Sequence, residues 1–108
     1  MEKEDVTQKI IACAFKVHNT LGAGFLEKVY ERAFKLELEK SGFRVERQVP
    51  LSVHYDGEIV GNYFADLLVN DEIVIELKAV ETITIGHEIQ LVHYLNAIIK
   101  DFGLLINF

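Results

Sequence analysis

Asp66, Glu76 and Lys78 stand inside two short apolar runs, Phe64-Ala-Asp66-Leu-Leu-Val69 and Ile73-Val-Ile-Glu76-Leu-Lys78. Burying a charge is costly unless it is paired, hydrogen-bonded or bound to metal. Two carboxylates brought side by side repel each other. A hard divalent cation resolves that conflict, because Mg²⁺ takes oxygen ligands, commonly one or two carboxylates with waters and phosphate oxygens. Such an ion polarises a phosphate and lowers the pKa of a bound water. A nearby lysine orients that water or stabilises charge growing on the phosphorus oxygens. The set suits phosphodiester hydrolysis better than acyl transfer, since no Ser or Cys stands next to a His with an orienting carboxylate. Taken alone, the same residues also fit a blander arrangement. Asp66 could satisfy backbone donors, and Glu76 with Lys78 could form a solvated edge pair.

The chemistry depends on strand register. Side chains alternate across a strand. Val74, Glu76 and Lys78 should therefore share one face of their strand, and Ile73, Ile75, Leu77 and Ala79 the other. On the preceding strand, Phe64, Asp66 and Leu68 should share one face, and Tyr63, Ala65, Leu67 and Val69 the other. A two-residue turn at Asn70-Asp71 would set Asp66 opposite Ile75, on the wrong face for Glu76. An odd loop, such as Asn70-Asp71-Glu72, or a bulge sets Asp66 opposite Glu76. Three-residue hairpin loops are common and Asn tolerates positive φ, so the odd loop is expected. Lys78 then follows about 6.6 Å along the same face.

Other elements must hold this hairpin. Ile10, Ile11, Ala14, Val17 and Leu21 have helical spacing and predict a helix from about residue 5 to 20, with Asp5 or Thr7 as cap. Leu21-Gly-Ala-Gly24 breaks it. A second helix is expected over about 25–40, with Leu26, Val29, Ala33, Leu36 and Leu38 supplying apolar contacts and Ser41-Gly42 as its stop. Glu27, Tyr30 and Phe34 share one face of it. The segment from Phe43 to Tyr55 alternates like a strand, and Pro50 marks an edge, bend or break. Asp56-Gly57 is a hairpin turn, followed by strands over 58–69 and 73–79. A third helix over about 86–100 carries Ile89, Val92, Leu95 and Ile99 on one stripe, and places Gln90 and Tyr94 on one face. Gly103-Leu-Leu-Ile-Asn-Phe108 closes the chain as a buried strand. The order α-α-β-β-β-α-β, with no linker or repeat, predicts one domain over 1–108 in the α/β (α+β) class.

Composition narrows the classes. The chain has 108 residues, 17 acidic against 11 Lys and Arg, and a net charge of −6. That argues against a simple basic nucleic-acid-binding module. It leaves a nuclease open, since bound cations offset acidic ligands. Half of the residues are hydrophobic and the mean hydropathy is +0.17, rich for this size, so a homodimer covering part of the surface is expected. No apolar run reaches the ~18 residues of a membrane span. The first residues, Met-Glu-Lys-Glu-Asp, lack a signal-peptide layout. Cys13 is the single cysteine and has no activating neighbour in sequence, so it should pack as a small hydrophobe in a cytoplasmic protein.

Asp66 followed after a hairpin by Glu76-Leu-Lys78 resembles the PD-(D/E)xK nuclease superfamily signature, and the element order is similar to its restriction-endonuclease-like core, with a mixed central sheet flanked by helices and one extra helix in front. Gly24-Phe-Leu-Glu27-Lys-Val-Tyr30 resembles the motif of the GxxExxY proteins, and Gln90-Leu-Val-His-Tyr94 resembles the QxxxY motif of the RecB-like branch. The resemblance implies a Mg²⁺- or Mn²⁺-dependent nuclease with nucleic acid, chiefly DNA, as partner and substrate. It implies Asp66, Glu76 and the Leu77 carbonyl as metal ligands, Lys78 as catalytic lysine, and Glu27 as a further acidic residue of the site. It implies that Gln90 and Tyr94 position the lysine or the nucleic-acid backbone. Ala65 departs from the proline often found before the aspartate. A catalytically silent module that keeps the fold and binds a protein or nucleic acid is the alternative.

Several residues have plainer readings. Glu27 suits a helix start, where the dipole favours a carboxylate. Gln90 and Tyr94 suit the polar rim of a packed helix. Tyr30 should pack with its hydroxyl near the site. His87 and His93 could be metal ligands, but His87 reads more simply as a helix-start residue, and His18 and His54 show no partner pattern.

Overall fold

The structure, a computed structural model, describes residues 3–80, 83–90 and 102–108. Two helices, α1 (Lys3–Leu21) and α2 (Glu27–Lys40), precede β1 (Val45–Tyr55), β2 (Glu58–Val69), β3 (Ile73–Lys78) and β4 (Gly103–Asn107). Residues 85–90 are helical and begin the expected third helix. Most of that helix, Tyr94 included, lies outside the described residues.

The strands form one mixed sheet in the order β1-β2-β3-β4, antiparallel through β3 and parallel between β3 and β4. With its flanking helices it matches the expected restriction-endonuclease-like architecture. A parallel neighbour cannot be reached by a tight turn, which is why a crossover separates β3 from β4. Pro50 is tolerated inside β1 because β1 is an edge strand. No helix among the described residues is long and apolar enough to cross a membrane.

On α1 the buried stripe is Val6, Ile10, Cys13, Ala14 and Val17, at steps of three and four. The helix starts before the expected caps, and Ile11 faces outward. On α2 the aliphatic stripe expected from the sequence is displaced: Leu26, Val29 and Leu36 are exposed, while Tyr30, Phe34 and Leu38 are buried. Those three recur every four residues, and turning two aromatic rings inward removes more apolar surface from water than turning in the aliphatics. The helix stops as expected at Gly42, whose φ of 94° lets Phe43 N–H reach the Leu38 carbonyl at 3.2 Å.

Two apolar clusters share the sheet. The larger one joins α1 and α2 to Val45, Leu67, Val69, Ile73, Ile75 and Leu77. The smaller one holds Tyr63, Ala65, Leu68 and Val74, with Val49, Leu51, Val53 and Leu105 packed on it. β3 alternates as expected. β2 does not: Tyr63 and Ala65 join one cluster, Leu67 and Val69 the other. The change of phase falls at Asp66. There the β1–β2 ladder skips the Gln48–Asp66 position, and Gln48 has a φ of 53°. A left-handed residue re-aims the strand, so side chains before and after it leave on different faces.

Candidate active site

The loop that sets the hairpin register has three residues. Val69 pairs with Ile73, Leu68 with Val74 and Leu67 with Ile75, so Asn70, Asp71 and Glu72 form the odd loop expected from the sequence. Asn70 and Asp71 both take left-handed backbone, with φ of 53° and 57°, and Glu72 N–H closes the turn on the Val69 carbonyl at 3.1 Å. Asn70 also ties the loop to the entry of β1. Its N–H donates to the Arg44 carbonyl at 2.8 Å, and its side-chain oxygen accepts from Arg44 N–H at 3.0 Å.

One step further along this register lie Asp66 and Glu76. Asp66 Oδ2 accepts the main-chain N–H of Leu77 at 2.8 Å, standing in for the carbonyl a neighbouring strand would offer. Asp66 Oδ1 accepts from Gln48 Nε2 at 3.2 Å. The same Gln48 nitrogen donates to Glu31 Oε2 at 3.1 Å, and Arg47 pairs with Glu31 Oε1 at 3.2 Å. Glu31 is the one charged side chain in the described core, 3% exposed. Arg47 and Gln48 are its compensation.

Glu76 accepts a hydrogen bond from the Tyr63 hydroxyl. Its carboxyl is pushed up from 4.5 to about 7. Burial is the main cause; the negative charge of Asp66 adds to it, while the Tyr63 hydrogen bond and the Lys78 ammonium pull the other way. Asp66, Glu76 and Lys78 are thus within one electrostatic neighbourhood. Lys78 is held by its main chain, with its carbonyl accepting Phe108 N–H at 2.8 Å. Just after it, Asn107 clamps Val80 through both side-chain atoms, at 2.9 and 2.7 Å.

The remaining candidates lie at different distances from this centre. Glu27 is exposed in the first turn of α2, one turn before Glu31. The Tyr30 hydroxyl does not turn toward the carboxylates. It donates to the Gly22 carbonyl at 2.6 Å and accepts Phe25 N–H at 3.2 Å, and its ring stacks on Phe108 at 4.9 Å. The reason is local. Gly22 and Gly24 take φ of 73° and 105° between the helices, and this open loop has main-chain groups that the phenol satisfies. Gln90 is exposed in the 85–90 segment, and Tyr94 lies outside the described residues. His87 closes a helix start with Thr84: its Nδ1 accepts Thr84 N–H at 3.2 Å, and its own N–H donates to Thr84 Oγ1 at 3.3 Å.

The sequence reading overlooked Gln48, Glu31 and Tyr63, and it offered Arg47 only as local positive charge for phosphates, whereas Arg47 pairs with Glu31. Glu31 left a usable signal, since it sits beside Tyr30 and three residues before Phe34 on the face that packs inward. Gln48 left none, because no local rule marks a left-handed glutamine inside a strand.

The donors fit a hard divalent ion. Asp66 and Glu76 act on each other in a partly dry setting, where burial first and the Asp66 charge second raise the proton affinity of Glu76. Among the described residues no three His, Cys, Asp or Glu side chains form a ready cluster. Waters and substrate oxygens are the usual remaining ligands of Mg²⁺.

A family model described as the PD-(D/E)XK nuclease superfamily matches residues 4–108. The chain belongs to the PD-(D/E)XK nuclease superfamily. No curated protein and no solved structure matches it. Nucleases of the PD-(D/E)XK superfamily generally use divalent metal ions, in keeping with the oxygen donors gathered at the β2–β3 hairpin.

Proposed function

We propose that this chain is a Mg²⁺- or Mn²⁺-dependent nuclease of the GxxExxY group, in the RecB-like branch, that hydrolyses phosphodiester bonds of DNA in the cytoplasm as one domain over 1–108. The observation that supports this reading is that Asp66 accepts the Leu77 N–H beside Glu76, and that the charges of Asp66 and Lys78 both act on Glu76, at the point where β2 leaves β3. Asp66, Glu76 and the Leu77 carbonyl would hold the ion, with Glu27 as a further acidic group. When bound, the ion supplies Lewis-acid polarisation of the phosphate and a more acidic water. Asp66 enters the site with one oxygen already fixed by Leu77 N–H, so little reorientation is needed. Glu76 releases its raised proton as the site gains positive charge. Lys78 places an ammonium where negative charge grows on the phosphate oxygens. Gln90 and Tyr94 orient the lysine or the nucleic-acid backbone.

The test is a cleavage assay on single- and double-stranded DNA and RNA with Mg²⁺ or Mn²⁺, beside Glu76→Ala and Lys78→Ala. Loss of one such electrostatic partner is expected to lower kcat by roughly 10²–10³-fold. Cleavage that survives both substitutions would overturn the assignment. A second reading, a silent nuclease-fold module, draws on the net charge of −6. Binding of a partner without cleavage of any of the four substrates would favour it.

A further inference from the structure

We propose that Gln48 is a positioning residue that sets the Asp66 carboxylate for its ion, with Glu31 as the anchor of Gln48. The inference rests on the metal-dependent reading above and assigns work to residues outside the expected ligand set.

The hydrogen-bond stoichiometry carries it. A primary amide nitrogen has two N–H groups, and Gln48 Nε2 lies 3.1 Å from Glu31 Oε2 and 3.2 Å from Asp66 Oδ1. Each carboxylate takes one N–H. The amide oxygen can serve neither, so the amide has a single useful orientation. Glu31 cannot drift, since it is buried and its other oxygen is paired with Arg47. Asp66 is then gripped at both oxygens, by Gln48 on the α2 side and by Leu77 N–H on the β3 side. A carboxylate oxygen has two lone pairs. Gripping one pair on each oxygen fixes the plane of the group and leaves the others for an ion.

The backbone points the same way. Gln48 sits at φ 53° within β1, a conformation that costs a residue with a Cβ on the order of 1 kcal/mol. Glycine would occupy the position with less strain, so what glutamine adds is its amide. The left-handed turn also changes the phase of β1, which directs this side chain to the gap between α2 and Asp66.

The deciding experiment is Mn²⁺ binding, followed by electron paramagnetic resonance and calorimetry, with thermal melting on the same samples. Gln48→Gly tolerates the left-handed backbone and removes the amide together with the rest of the side chain. Gln48→Asn also tolerates that backbone, but its shorter amide cannot span both carboxylates. Both variants should stay folded but melt below the wild type, because buried Glu31 loses a hydrogen-bond donor, and both should bind Mn²⁺ about tenfold more weakly or worse, the usual loss when a ligand's supporting partner is removed. Their nuclease activity should recover as Mn²⁺ is raised, which a general packing defect would not do. Glu31→Gln should give a smaller loss in the same direction. Wild-type Mn²⁺ affinity in both Gln48 variants, with Asp66→Ala defective, overturns the role of Gln48 and leaves the metal reading standing. A wild-type chain that binds no Mn²⁺ overturns both.

Discussion

The two halves of the β1–β2 hairpin have nearly the same sequence character and opposite surroundings. At the base, Leu67, Leu68 and Val69 are all but completely buried, because α1 and α2 cover one face and the smaller cluster lies on the other. At the tip, Tyr55, Ile59 and Val60 are largely exposed among the described residues, although they are as apolar as the base. Gln48 and Asp66 mark the seam between the halves. The contrast teaches where polar chemistry can be installed. In the base the β2 side chains Leu67, Leu68 and Val69 are committed to packing, and at the tip nothing desolvates a charge. At the seam a carboxylate is dry enough to be strengthened electrostatically, yet open enough to meet a ligand.

Shifting the register of β3 should break this contrast most severely. Deleting Val74, with Val69 still opposite Ile73, sets Glu76 opposite Leu67 and turns Glu76 and Lys78 toward the helices. We expect loss of cooperative unfolding in a denaturant titration; a sharp, wild-type transition would show that the base does not depend on register. Next in size, Leu67→Ala should cost about 3 kcal/mol in the base, read from the shift in urea midpoint.

Glu76→Gln sharpens the seam. Because the folded carboxyl is raised to about 7 from 4.5, the folded state binds the proton more tightly than the unfolded chain. Stability of the metal-free protein therefore falls as pH climbs from about 4.5 through 7. The glutamine variant should lack that fall and be more stable than wild type at pH 8 by about 1 kcal/mol, after allowing for solvent screening of a half-buried group. Parallel pH–stability curves for the two proteins would contradict it. The smallest effect belongs to the tip, where Ile59→Ala should change stability by no more than about 0.5 kcal/mol. A larger loss there would mean that the tip is packed in solution, as in the homodimer expected from the composition, and a concentration-dependent mass would accompany it.

Much of this was legible in the residues. The odd loop followed from parity plus the tolerance of Asn70 for left-handed backbone. The strand spans of β2 and β3 followed from alternation and from Asp56-Gly57. What was not legible has a common physical origin. The phase of β2 above Asp66 is set by a partner strand, through a left-handed Gln48 that propensity does not announce. The inward face of α2 was decided by aromatic burial between Tyr30 and Phe34, a tertiary outcome that overrode the aliphatic count. For the site, the signature pair and its lysine could be named, whereas their supports could not. Tyr63 and Gln48 reach the carboxylates from other strands, at sequence separations of 13 and 18 residues from Glu76 and Asp66. Tyr30 was drawn toward the site by its motif, but in the structure its hydroxyl serves the glycine loop.

The contact between Leu77 N–H and Asp66 Oδ2 gives the protein a built-in spectroscopic reporter. Within a sheet an amide proton normally meets a carbonyl whose dipole never changes. Here one amide proton meets a group that carries a full charge and can share it. The ¹H–¹⁵N resonance of Leu77 should lie downfield while that charge is unshared and move upfield when it is shared or removed. Deuterium should replace that proton more slowly than those at the exposed hairpin tip. A single cross-peak would thus follow the state of the carboxylate in solution, without substrate and without turnover.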